Sequence, residues 1–582
     1  MQRIEDESAR QARALRAAAG LLITAVLAAA HAAADVRYVR VSASGANDGS
    51  SWQDAFTDLQ VALALAAPGD EIWVAAGTHT TETAASSFVL PDGVGIYGGF
   101  AGTETSREQR DWVANPTILS GDVGHDDEYG SQVWYIGWNI HTDNCDNVVI
   151  AGNVGPGTVL DGFTITAGHG AYTQGAGLKV DGGSPTIANC TFLRNETGWG
   201  AGAGMYVADG SPTITNCNFT QNWCHICSGA GLYVTGSGSP SITDCTFTEN
   251  HATADSGMSG QGSAIFLYYS APVTIERCAF QYNITEQFNP FSGIEIARGG
   301  GISAFFSEFT ARDCVFHHNS ASVGGGIAAW NSATLINCVF WANTAVWGGA
   351  GDSSAGAVLC ISYNPVTLTM VNCTLAGNTA GEAAAFEAVL SAGIAVRNCI
   401  IWGNTATGQD VAPRDRQFKG NATLFHSCVQ DLLTAPPGED PYDPADYPGS
   451  FDADPLFVNR PAGDLHLADG SPCLDAGRNS YVPAGVTTDL DGLARFYDDP
   501  LAPNVGDGTP PIVDMGPYER QPEPCPGDLD GDGDVDLADL SALLTNFGTA
   551  AGAAPEDGDI DGDGDVDLAD LSELLTSYGA SC

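Results

Sequence analysis

Two sets of aspartates near the C-terminus carry the spacing of a calcium loop. The first is Asp528, Asp530, Asp532, Asp534, Asp536 and Asp539; the second, 31 residues on (559 − 528), is Asp559, Asp561, Asp563, Asp565, Asp567 and Asp570. With the first aspartate of each set at position 1, side-chain oxygens fall at 1, 3, 5, 9 and 12, and position 7 offers a backbone carbonyl. Glycine stands at position 6 (Gly533, Gly564), where such a loop turns sharply, and valine at position 8 (Val535, Val566), facing the partner loop. A hard cation wants six to eight oxygens, so two structural Ca2+ sites are expected. From Asp528 onward the chain has fifteen carboxylates and no basic residue, so without a cation this segment repels itself. An apolar helix should follow each loop, through Leu540, Leu543, Leu544 and Phe547 and through Leu571, Leu574, Leu575 and Tyr578. Cys525 and Cys582 bracket the module, and a disulfide between them would staple its ends; Pro522, Pro524 and Pro526 form a short stiff linker ahead of it.

Other reactive side chains are sparser. His125-Asp126-Asp127-Glu128 follows Gly121-Asp122 as an acidic loop whose irregular spacing favours solvation over a metal. His169 stands alone between glycines, and Glu295 and Arg298 flank a glycine turn as a solvated ion pair. Cys224 and Cys227 form a single CxxC, which suits a local disulfide or two free thiols better than zinc. Trp199, Trp223, Trp330, Trp341, Trp347 and Trp402 fall at or near bends, where exposed rings could stack on sugars and buried ones would cap the core.

The elements that must position these groups follow from a repeat. Cys-x-apolar-x-x-Asn recurs at Cys190/Phe192/Asn195, Cys217/Phe219/Asn222, Cys245/Phe247/Asn250, Cys278/Phe280/Asn283, Cys314/Phe316/Asn319, Cys338/Phe340/Asn343, Cys373/Leu375/Asn378 and Cys399/Ile401/Asn404, at intervals of 24 to 36 residues. Glycine turns such as Gly175-Ala176-Gly177 and Gly324-Gly325-Gly326 precede short alternating strands. No such unit buries its apolar face alone, so successive coils must stack into a parallel β-helix. The cysteine and the residue two later point inward as small free thiols and stacked rings, with Cys428 a ninth thiol, and the asparagine at the bend is expected to take a left-handed conformation and to hydrogen-bond its neighbours up and down the stack.

These residues resemble the right-handed β-helix proteins of the pectate-lyase-like superfamily, with the short repeats of polymorphic outer-membrane proteins. Leu160-Asp161-Gly162-Phe163 resembles their start-of-helix motif. Asp454-Pro455-Leu456-Phe457, Ser471-Pro472-Cys473-Leu474-Asp475-Ala476-Gly477 and Asp514-Met515-Gly516-Pro517-Tyr518-Glu519 look like the end region of the choice-of-anchor β-helix family. The paired loops with Asp at position 12 and a helix after each resemble a dockerin, which implies docking on a cohesin. Positions 10 and 11, which dockerins often use to choose a partner, are Leu537-Ala538 and Leu568-Ala569 here, not hydroxyl residues, so the resemblance implies a cohesin-like or other surface anchoring protein, engaged in either of two orientations.

The fold class expected is therefore mainly β: a right-handed parallel β-helix solenoid followed by a small α-helical, paired loop-helix domain. The boundaries read as 1–34 signal peptide, 35–130 cap and first coils, 131–430 repeats, 431–520 terminal coils and cap, 521–526 linker and 527–582 calcium module. Arg10, Arg13 and Arg16, the apolar run to Ala30, and Ala32-Ala33-Ala34 have the layout of an export signal, too short to span a bilayer. The mature chain is expected to be secreted or at the cell surface. A formal charge of −49 with only two lysines, Lys179 and Lys419, argues against nucleic acid and anionic membrane as partners. The function expected is an anchored β-helix contacting carbohydrate or a surface protein. The alternatives are a polysaccharide lyase or glycosidase delivered by the same tail, and a structural adhesin; no catalytic residue can be assigned from the sequence.

Overall fold

The computed structural model describes residues 35–127, 143–254, 260–287, 297–346, 355–408, 411–434, 443–499, 502–521, 527–530, 534–550, 552–554 and 557–579. The export signal at 1–34, the proline linker, Cys525, Cys582, Glu128, Glu295, Trp347, Asp532 and Gly533 lie outside the described residues. The chain forms two compact units, one of residues 35–310, 316–332 and 344–346, the other of 311–315, 333–343 and 355–579.

In the first unit Val36–Val39 pairs in parallel with Glu71–Ala75, which pairs with Gly95–Phe100, which in turn pairs with Val159–Asp161. Helix α1 (Leu59–Leu65) covers this end and buries Leu59, Ala62 and Leu63; Asp58 caps it by accepting the Gln60 amide at 2.8 Å. Successive coils then contribute three short parallel strands and a fourth of two to four residues, as in Met205–Ala208, Thr213–Thr215, Asn218–Thr220 and Trp223–Cys224. The next coil repeats them in register, with Met205 beside Leu232, Ile214 beside Ile242 and Phe219 beside Phe247. Strands this short survive because they pair with the coils on either side and bury inner faces that are apolar, or, as at Thr197 and Thr285 of the fourth column, hydrogen-bonded.

The inward columns hold as the repeat requires. Phe192, Phe219, Phe247, Phe280 and Phe316 stack face to face, with centroids 4.7, 4.6, 5.1 and 4.4 Å apart. The ladder cysteines from Cys190 to Cys399 are buried free thiols, but Cys428, expected as a ninth, pairs with Ile400 and so falls one residue out of the column, where Ser427 accepts the Cys399 amide instead. The asparagine column corrects one expectation. Asn195, Asn222, Asn250 and Asn283 are fully buried, and the left-handed residue at each bend is the one before: Arg194 (φ 52°), Gln221 (54°), Glu249 (53°) and Tyr282 (57°). The strained backbone thus sits on an outward-pointing residue, which frees the asparagine side chain to turn inward and bond along the stack.

The second unit continues the same plan with a variation. Val358–Val371 runs unbroken for 14 residues and pairs with Phe386–Arg397, spanning what is two strands and a turn in the earlier coils. The inner strand column runs Val339–Trp341, Thr374–Ala376, Ile400–Trp402 and Cys428–Val429. An antiparallel hairpin, Phe457–Asn459 with Asp464–Leu467, and a cluster of Leu467, Cys473, Leu474 and Met515 cover the outward side of this column, the hairpin against Val339, Trp341 and Ala376 and the cluster against Ile400, Trp402 and Cys428. Trp341 and Trp402 pack beneath this cap, so of the tryptophans read as possible sugar platforms these two serve the core. Within the tail, α2 (Leu537–Asn546) and α3 (Leu568–Ser577) each follow one aspartate loop. Among the described residues no helix is long and apolar enough to cross a membrane.

Candidate metal centre

Each tail helix begins on the loop's own aspartates. Asp536 caps α2 by accepting the Ala538 amide at 2.6 Å, and Asp539 returns the favour by accepting the Asp536 amide at 2.7 Å. In the second loop Asp567 accepts from Ala569 at 2.6 Å and Asp570 from Asp567 at 2.7 Å. The other oxygen of Asp539 takes the amides of Leu529 and Asp530 at 2.6 and 3.1 Å; that of Asp570 takes those of Ile560 and Asp561 at 2.7 and 3.1 Å. Two loops of the same residue pattern reach the same geometry to within 0.1 Å.

Position 12 is therefore the hinge of each loop. Asp539 and Asp570 are fully buried. Burial pushes their carboxyls up, but the amides that point at them outweigh it and hold both below the ordinary carboxylate range. Around them the remaining aspartates converge. One oxygen each of Asp528, Asp530 and Asp539 lie within 4.8 Å of one another, as do those of Asp534, Asp536 and Asp539, and the second loop repeats both triads with Asp559, Asp561 and Asp570 and with Asp565, Asp567 and Asp570. Asp559 also accepts the amides of Gly562 and Gly564, and Asp563 that of Asp565. Desolvation and then the neighbouring carboxylates push Asp561 and Asp565 up, and Asp565 Oδ1 is shielded from water without meeting a donor. Such a convergence of acceptors, with negative charge and few donors, fits a divalent cation by its donor chemistry.

The halves are held together by Val535, Val566, Leu543 and Leu574, all fully buried in one cluster. The two valine segments do not pair with each other. The Val535 carbonyl accepts from Gly579, just beyond α3, and the Val566 carbonyl from Gly548, just beyond α2. Of the apolar helix residues, Leu543 and Leu574 are fully buried and Leu540 and Leu571 pack half-buried against them, while Leu544, Leu575, Phe547 and Tyr578 are exposed.

A third carboxylate group lies in the first unit. Asp122, Asp126 and Asp143 converge within 4.8 Å, and Asp122 accepts the amides of Asp126 and Asp127 at 3.3 and 3.4 Å. Asp143 was not part of the acidic run noted in the sequence, and only the fold brings it there. His169 is half-buried and sits beside Glu196 in the strand register; Glu196 Oε1 is 2.6 Å from His225 Nε2. Cys224 and Cys227 form a disulfide with Cα atoms 5.3 Å apart. Arg298 stacks on Trp330 at 5.2 Å, and Trp199 is 46% exposed.

The model of the family described as "right handed beta helix region" matches residues 114–247, 175–359 and 230–423, together 310 of 582 residues (423 − 114 + 1). A crystal structure of the pectate lyase Pel9A is 15% identical with a TM-score of 0.41, over 84% of this chain and 96% of that one. A rhamnogalacturonan lyase is 11% identical with a TM-score of 0.26, over 75% of this chain and 95% of the other. No curated protein matches the chain.

Proposed function

The chain belongs to the right-handed β-helix family, and from that premise we propose that it is a recognition scaffold, secreted or displayed at the cell surface, held in place by a dockerin-like tail that folds around two Ca2+ ions. The observation that carries this reading is the congruence of the two loops about Asp539 and Asp570. A solvated acidic linker has no reason to bury the position-12 aspartate of each loop completely and to aim the others at it. Calcium in these loops is structural: it neutralises the converging carboxylates and fixes the two helices.

The docking face follows from the same symmetry. Leu537 is 68% and Leu568 71% exposed, with Leu544, Leu575, Phe547 and Tyr578 beside them in matched pairs. Exposed leucines at twofold-related positions suit a cohesin-like or other anchoring protein with an apolar surface, engaged in either orientation. The solenoid would then present carbohydrate-contacting side chains to a polysaccharide.

The test is calorimetric titration of the calcium-stripped full chain with Ca2+, with far-ultraviolet circular dichroism alongside. Uptake of two ions with a gain in helix supports the reading, and absence of uptake overturns the anchoring half. The rival, a polysaccharide lyase or glycoside hydrolase, is favoured by the convergence of Asp122, Asp126 and Asp143. It requires unsaturated products or new reducing ends from polyuronates or neutral polysaccharides. Surface binding without turnover would mark an adhesin.

A further inference from the structure

A recess of about 370 Å³ opens beside the first coils of the first unit, walled by Tyr97, Arg107, Arg110, Trp112 and Asp161, with Glu108 also lining it. That volume suits a small ligand. The guanidinium of Arg107 lies 4.6 Å from the centre of the Tyr97 ring, and that of Arg110 lies 5.0 Å from Trp112 and 5.3 Å from Tyr97. Both arginines are tied down from behind. Arg110 donates to Asp161 Oδ2 at 2.6 Å and to the carbonyls of Gly98 and Asp161 at 3.2 Å, and Arg107 donates to Glu71 Oε1 at 2.8 Å. Asp161 is itself fixed by the Asn189 amide at 2.7 Å. The wall is thus set before any ligand arrives, which lowers the ordering cost of binding.

Charge selects the ligand. Two arginines face three carboxylates, Glu71, Glu108 and Asp161, so the site has no positive excess, in a chain of formal charge −49. A uronate or phosphate gains nothing there, and a cation meets the like charge of Arg107 and Arg110, seated against the rings, before it meets an aromatic face. What the recess offers is an indole 37% exposed, the remaining N–H groups of Arg107 and the carboxylate of Glu108. Those are the contacts of a neutral sugar: its C–H face lies on Trp112, and its hydroxyls meet planar donors and acceptors at the edge. We infer that this recess binds a neutral pyranose unit of a polysaccharide. The inference rests on the reading that the solenoid contacts carbohydrate.

The experiment is titration of the full chain with oligosaccharides of glucose, xylose, mannose and galactose, with oligogalacturonate as the charged comparator. The wild type is compared with Trp112→Ala and Trp112→Phe. A neutral oligosaccharide should bind; Trp112→Ala should weaken it by about tenfold or more, and Trp112→Phe should restore most of the loss. Unchanged thermal unfolding of both variants shows that the fold is intact, as expected for an exposed ring. Neutral sugar binding indifferent to Trp112→Ala overturns the recess while leaving carbohydrate contact standing. Preference for oligogalacturonate overturns the neutral assignment. No binding in any arm overturns both, and the calcium titration of the tail is independent of all three results.

Discussion

The side-chain amide of Asn222 donates to Oδ1 of Asn250 at 2.9 Å, and the same oxygen accepts the Asn222 main-chain amide at 3.2 Å. Asn250 Nδ2 meanwhile donates to the Phe219 carbonyl at 2.8 Å and to Asn283 Oδ1 at 3.0 Å. One side chain therefore satisfies polar groups of the coils on both sides of it, in a place water does not reach. Replacing Asn250 with Ala should destabilise the solenoid by about 2–4 kcal/mol, because each buried amide or carbonyl left alone costs ~1–3 kcal/mol. Urea unfolding followed by tryptophan fluorescence measures it; Asn250→Asp, which keeps the acceptor, should cost less at the Asn222 side of the ladder.

The thiols give a second expectation. Burial pushes Cys145 and Cys360 up to about 12, and Cys338 and Cys373 well above the ordinary thiol value. Ladder thiols that stay protonated and covered do not react. A thiol reagent at pH 8 should leave the ladder cysteines unlabelled in the native chain and label them all after unfolding, and peptide mapping should recover Cys224 joined to Cys227. Labelling of Cys217 or Cys338 in the folded protein would contradict this packing.

Much of this architecture is legible in the sequence because a β-helix writes its inside as columns. Cysteine, ring and asparagine recur at fixed offsets, so stacking follows from spacing alone. Which residue of a bend takes the positive φ is not so written. Arg194 and Asn195 both tolerate the turn, and the choice falls on Arg194 because only an asparagine side chain can bond to the next asparagine inside. The unbroken strand at Val358–Val371 has no signature in the repeat, and its Asn364-Pro365 falls where the register with Phe386–Arg397 shifts between Ser362 and Val366, a bulge that tolerates a residue without an amide hydrogen. In the tail the loop spacing located the converging aspartates, while the exposure of Leu544 and Leu575 depends on how narrow a two-helix core is. The recess at Trp112 leaves no periodic trace, since Tyr97, Arg110 and Asp161 meet from three separate segments.

The terminal cap should be more stable in mild acid. Asp475 is fully buried beside Asp498, Asp499 and Asp514; burial and then those charges push it up to about 7, and burial pushes Asp514 to about 6 against the amides of Arg520 and Asp475 and the charge of Arg495. Glu519, also buried, shares the same network with Arg495. A carboxyl raised in the folded state binds its proton more tightly there than in the unfolded chain. Its stabilising effect is therefore complete below about pH 4 and is lost as pH rises through about 6 to 7. Unfolding free energy should increase as pH falls from 8 to 5, by at most about 1.4 kcal/mol per pH unit for each proton taken up. Asp475→Asn, which mimics the protonated acid, should stabilise the chain at pH 8 and flatten this dependence, and thermal unfolding across the pH range reads both.

Asp539 and Asp570 carry two duties at once, and one substitution separates them. Each accepts two amides across its loop through Oδ1 and completes a helix cap through Oδ2. Asparagine in place of Asp539 keeps an oxygen for Leu529 and Asp530 but removes the charge and one acceptor. Cap loss alone costs about 1 kcal/mol of helix stability and leaves cation affinity to the other carboxylates. If the converging aspartates hold Ca2+, loss of the charge at position 12 should weaken that loop by about tenfold or more, since calcium affinity tracks the number of charged ligands. Asp539→Asn and Asp570→Asn should then each leave one tight and one weak ion, and the two variants should give superimposable titrations because their loops share one geometry. Equal loss of both ions from either single variant would mean that the loops fold as one unit through Val535 and Val566; two tight ions in both variants would show that position 12 acts only as a cap.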